Sequence, residues 1–117
     1  VADSIAVNQP RDGLAAVKAV IESGGQAVTV PDGEILAAIP EMSRLAGVFP
    51  EPAAAAPLAA LTKMLADKTI DPDERVVLIV SGSGLKDVGH AAQAAGKPTV
   101  IEPTLDAVRK SLETSPV

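Results

Sequence analysis

Apolar positions along the chain fall into two alternating patterns, one with a helical period and one of short β-branched runs. Leu14, Val17, Val20 and Ile21 line one face of a helix that Asp12 can cap, and Ser23-Gly24-Gly25 ends it. Ile35, Ile39, Met42 and Leu45 mark a second helix opening at Asp32, with Pro40 expected to kink or split it. Pro52 suits the first turn of a third helix, in which Leu58, Leu61 and Leu65 form the inward side and Pro57 is a local cost. Residues 88–95 read as a fourth helix. Thr104 caps a fifth that ends near Leu112, and Glu113–Val117 is expected to fray.

Between these helices lie four strand candidates, Ser4–Val7, Gln26–Val30, Arg75–Val80 and Pro98–Ile101, and Val48-Phe49-Pro50 reads as extended. Arg75–Val80 is the strongest. It follows the turn Asp71-Pro72-Asp73-Glu74, and its run Val76-Val77-Leu78-Ile79-Val80 suits a strand buried on both faces. Helices alternating with strands predict an α/β fold in three layers around a mostly parallel sheet. So few short strands leave exposed sheet edges, which a partner surface or further chain would cover.

Composition narrows the function classes. A length of 117 residues fits one domain, 1–117, with 47% hydrophobic and 21% charged residues, as in a globular protein. One Phe and no Tyr or Trp leave alanine, valine and leucine to fill the core, and leave no aromatic platform for nucleic-acid bases. A net charge of −5 also argues against a polyanion partner. No apolar run approaches the ~20 residues of a membrane span. Asp3, Asn8, Gln9 and Arg11 do not read as a secretion signal. The absence of cysteine removes disulfides, thiol nucleophiles and thiolate metal sites, and is compatible with a cytoplasmic location. The chain opens on Val1 rather than Met, as a segment of something longer would.

Candidate chemistry gathers where the strongest strand runs into Ser81-Gly82-Ser83-Gly84-Leu85-Lys86-Asp87 and then a helix. The crevice beyond the carboxyl end of such a strand is the usual ligand site of a parallel sheet. Glycines there admit a close backbone approach, and serines offer hydroxyl donors. A tight strand-to-helix turn that binds nothing fits the same pattern. His90, the sole histidine, reads as a surface or packing residue, and no metal site is expected.

The same loop resembles the threonine synthase motif T-G-x-G-L-K-[DN]. Glu34-Ile35-Leu36-Ala37-Ala38 resembles that family's E-I-L-x-A helix, and Gly47-Val48-Phe49-Pro50-Glu51-Pro52-Ala53-Ala54-Ala55-Ala56 its G-[IV]-F-x-E-P-A-x-A-A segment. The likeness runs over residues 4–88 in one register. It implies the C-terminal portion of a tryptophan-synthase-beta-like, fold-type-II domain that binds pyridoxal phosphate. The implied intact enzyme is a homo-oligomer that converts O-phosphohomoserine to threonine. By the same resemblance, Ser81 places its hydroxyl on the cofactor's pyridine nitrogen, Gly82 and Gly84 let the loop pass under the ring, and Glu51 lies near the cofactor. A helix-start carboxylate is the plainer role for Glu51.

The sequence also departs from the family. Ser81 replaces the usual threonine, Pro40 interrupts a family helix, and Gly33, Pro50 and Pro57 are unusual. The Schiff-base lysine motif S-x-K-x-R and the glycine-rich loop for the cofactor phosphate have no counterpart here. Lys86, in G-L-K-D, reads as a solvated lysine, so the chain alone is expected to be inactive. Two other classes compete with this reading. Gly82-x-Gly84 after a strand, with Glu102 ending the next one, imitates part of a dinucleotide-binding fingerprint, although Asp87 stands where its third glycine belongs. A non-catalytic interaction or regulatory protein would also explain Pro40, Pro57 and the missing lysine.

Overall fold

Five α-helices account for the regular structure in the computed structural model, which describes residues 1–114. They are α1 (Gly13–Ser23), α2 (Asp32–Ala46), α3 (Pro52–Ala66), α4 (Val88–Ala95) and α5 (Leu105–Thr114). Single 3-10 turns occupy Asp3–Ile5 and Gly84–Lys86. Several helix ends follow from their boundary residues, although Asp12 precedes α1 without a side-chain hydrogen bond to it. Gly24 and Gly47 close α1 and α2 in the left-handed region, at φ +68° and +66°, where a Cβ would be strained. Pro52 opens α3 at a position that needs no amide donor. Thr104 caps α5 through Oγ1, which accepts from the Ala107 amide at 3.3 Å.

The core is a hairpin of α2 and α3, with α4 laid against α2. Ile35, Ala38, Ile39 and Met42 face inward from α2 at helical spacing, and all are at most 5% exposed. Against Ile35, Ala38 and Ile39, α3 presents Ala55 and Ala59, the first fully buried. Alanine lets the two backbones approach closely enough for isoleucine to fill the gap, and this suits a chain with almost no aromatic residues. Neither Pro40 nor Pro57 splits its helix. Tertiary packing of one face outweighs the lost hydrogen bond, as it routinely outweighs propensity.

Several expected inward positions are not in this core. Leu45 is 69% exposed, and on α3 the buried positions are Pro52 and four alanines, while Leu58 packs half-buried against the core, Leu61 is half-buried and Leu65 is exposed. Leu14, Val17 and Ile21 of α1 are also exposed. Among the described residues, none of the expected strands forms a ladder. Ser4–Val7 gives way to the 3-10 turn at Asp3–Ile5, and the single pairing is an isolated antiparallel bridge between Pro50 and Ser83. A parallel sheet needs neighbouring strands to accept each strand's amides, and these segments do not lie side by side. Val77 is 87% and Ile79 77% exposed, although their run is apolar enough to be covered on both faces. The radius of gyration is 18.1 Å, against about 13 Å for a closed domain of this length.

Candidate functional site

Two segments meet to build the candidate site: residues 49–51, entering α3, and the loop 81–87, entering α4. Their main chains are tied by two hydrogen bonds. The Glu51 amide donates to the Gly82 carbonyl at 3.0 Å, and the Gly84 amide donates to the Phe49 carbonyl at 2.9 Å. The approach is close because Gly82 and Gly84 lack side chains. A Cβ on Gly82 would overlap the Glu51 carboxylate, and one on Gly84 would sit 2.5–2.7 Å from the Phe49 ring. Both glycines therefore have a packing requirement inside the chain, independent of any ligand.

Glu51 is 4% exposed. It stands at the start of α3, but its side chain does not cap that helix. One oxygen accepts from the Ser4 hydroxyl at 3.0 Å and the other from Lys86 Nζ at 3.2 Å. The helix-start role is thus replaced by a buried carboxylate with a partner on each oxygen, the arrangement that burial of a charge demands. Lys86 keeps 61% of its side chain exposed and makes this ion pair, so it is not simply a solvated lysine.

Asp87 caps α4. One of its oxygens accepts from the His90 amide at 3.2 Å, and the other lies 2.7 Å from His90 Nδ1. The side-chain hydrogen bond with His90 first, and the one from its amide second, hold the Asp87 carboxyl below its ordinary range. This carboxylate already occupies the helix terminus that a pyrophosphate would need, which counts against the dinucleotide reading. Glu51, Lys86, Asp87 and His90 line an open cleft of about 910 Å³ together with Ser4, Asp32 and Ile35.

The structure brings Glu51, Gly82 and Gly84 into one cluster. Ser81 lies at its edge, exposed, next to Gly82. The contacts of Ser4 and Lys86 with Glu51 have no local signature, because they span 47 and 35 residues. The Asp87–His90 couple could have been found, since an aspartate three residues before a histidine at a helix start is a capping pattern.

Residues 1–82 match the family described as pyridoxal-phosphate dependent enzyme, and the chain belongs to that family. Within it, the chain is similar to two archaeal threonine synthases. That of Methanosarcina acetivorans is 40% identical over 112 residues, 96% of this chain and 28% of the relative. That of Methanocaldococcus jannaschii is 38% identical over 113 residues, 97% of this chain and 28% of the relative. The threonine synthase of Halalkalibacterium halodurans is 40% identical over 91 residues, 78% of this chain and 26% of the relative. The chain therefore spans little more than a quarter of the length of these relatives, and the likeness extends past the residues 4–88 that carry the motifs.

The residues present fit one part of the family's cofactor. Ser81 is an exposed hydroxyl donor, suited to a ring nitrogen. The Gly82 carbonyl and the Gly84 amide are already used inside the chain, while the Ser81 side chain stays exposed. Among the described residues, no helix is long and apolar enough to cross a membrane.

Proposed function

We propose that this chain is the C-terminal part of the cofactor domain of a threonine synthase, which in its intact, homo-oligomeric form converts O-phosphohomoserine to threonine and phosphate in the cytoplasm. The observation that carries this reading is the likeness to threonine synthases along 96% of the chain, together with the loop Ser81–Asp87 anchored at Gly82 and Gly84. In this reading the segments 26–30, 75–80 and 98–101 are strands of a parallel sheet completed by the rest of the enzyme. The exposed apolar side chains of Val77 and Ile79 support it, because such a run is costly in water and favourable between two layers of helices.

When bound, pyridoxal phosphate supplies an electron sink for carbanion chemistry. The chain's own part is to hold and tune that group. The Ser81 hydroxyl donates to the pyridine nitrogen. Being neutral, unlike a carboxylate, it leaves that nitrogen without a proton. The clamp between residues 49–51 and 82–84 fixes the backbone from which Ser81 projects. The lysine that carries the cofactor and the loop that holds its phosphate come from outside these 117 residues, so the isolated chain is inactive.

Ser81→Ala in the intact enzyme tests this. Loss of the hydroxyl is expected to weaken cofactor-dependent turnover by about 1–3 kcal/mol, and Ser81→Thr to restore it. An unchanged rate in the alanine variant overturns the role of Ser81. Mass spectrometry of the native polypeptide tests the larger claim, which requires peptides that continue upstream of Val1 through a lysine motif.

A further inference from the structure

Glu51 is a buried charged residue whose main chain belongs to the clamp described above, but whose carboxylate has no role in it, and the environment of that carboxylate is specific. Its carboxylate fills the space over Gly82 that a Cβ would take. One oxygen holds Ser4 and the other Lys86, while its own amide holds the Gly82 carbonyl. A single residue thus grips the loop at Gly82 and at Lys86, and ties both to residue 4.

A stabilising device would not be built this way. Lys86 is mostly solvated, so the ion pair gains little, and burying the carboxylate carries a desolvation cost. A cap for α3 would bond that helix's first amides, which this side chain does not. What the arrangement does achieve is register, because the loop cannot slide along residues 49–51 without leaving the carboxylate unpaired.

We propose that Glu51, held by Lys86 and Ser4, is a positioning residue that sets the place of the Ser81 hydroxyl against the cofactor ring. This inference rests on the threonine synthase reading. Ser81 adjoins Gly82, so a shift of the gripped loop displaces the hydroxyl while leaving the helical hairpin intact. Lys86 is then the counter-ion of a buried carboxylate rather than a reactive amine.

The test uses the intact enzyme and its cofactor, with Glu51→Gln as the first variant and Lys86→Met as the second. Glutamine keeps the volume and an acceptor for Ser4 but removes the charge that holds Lys86. The expected results are about a tenfold rise in the cofactor Kd for either variant and a changed circular dichroism band of the bound cofactor, with the melting temperature nearly kept in Glu51→Gln and lowered in Lys86→Met, which leaves the buried carboxylate without its counter-ion. In a Ser81→Ala background Glu51→Gln should add little, because the two act through one contact. A wild-type Kd and an unaltered band in both variants overturn the inference, as does a fall in melting temperature with no spectroscopic change. If Glu51→Gln fails to fold, Lys86→Met alone decides, since its stem can remain packed without the charge. Failure of the unsubstituted enzyme to bind pyridoxal phosphate overturns the parent reading instead.

Discussion

Gly82→Ala is the smallest change that reports on whether the loop and the α3 entrance are packed as described. The added methyl would overlap the Glu51 carboxylate, and even Glu51 Cγ would lie only 2.9 Å away. Glu51 cannot swing into solvent without leaving both Ser4 and Lys86, since it is 4% exposed and bonded at each oxygen. Overpacking of this kind costs about 1–3 kcal/mol. Glu51→Ala has its own cost, from the lost ion pair and the emptied space, but it removes the obstacle. The double variant should therefore be more stable than the sum of the two single effects predicts, by a coupling of about 1–2 kcal/mol. Urea denaturation followed by far-ultraviolet circular dichroism gives all four corners of the cycle, provided the slopes agree. Additive costs, or a neutral Gly82→Ala, would show that the carboxylate does not occupy that space and would refute the clamp.

Three further outcomes follow from other parts of the fold. Ile39, 2% exposed between α2 and α3, should cost roughly 2–5 kcal/mol when replaced by alanine, measured by the same denaturation. Pro40→Ala should stabilise the chain by about 1–3 kcal/mol, because the exposed proline lies inside a continuous α2 and removes one of its amide donors, and a shift of the midpoint to lower urea would contradict this. Asp87, whose folded pKa is lowered by His90, contributes stability that is complete above its ordinary carboxylate range. That contribution is lost as pH falls through the folded value, so the acid limb of a melting-temperature profile should flatten in Asp87→Asn, and an unchanged limb would refute the assignment.

The helices were legible in the sequence because their determinants are local. Gly24 and Gly47 end α1 and α2 through their own backbone freedom, Pro52 opens α3, and Thr104 caps α5. The buried faces were legible only where side-chain size was read together with period. Ile35, Ile39 and Met42 follow the expected stripe, but on α3 the buried core positions are Ala55 and Ala59 and Leu58 is only half-buried beside them, since close contact with α2 favours small side chains. Two-fold periodicity could not deliver a sheet, because a strand is defined by its neighbours and not by its own residues.

The site divides along the same line. Gly82 and Gly84 were noticed as residues that admit a close approach, and what approaches them in this structure is the chain itself, Glu51 and Phe49. Their presence is therefore no evidence of a ligand on its own, and the weight passes to Ser81, whose side chain is exposed beside a backbone already held in place. Local pattern singled out the loop, but the partner of Lys86 was invisible to it at 35 residues' separation. A lysine read in isolation suggests a solvated or reactive amine. Opposite a buried carboxylate it becomes part of the scaffold, which leaves Ser81 as the residue on which the proposed cofactor role of the loop rests.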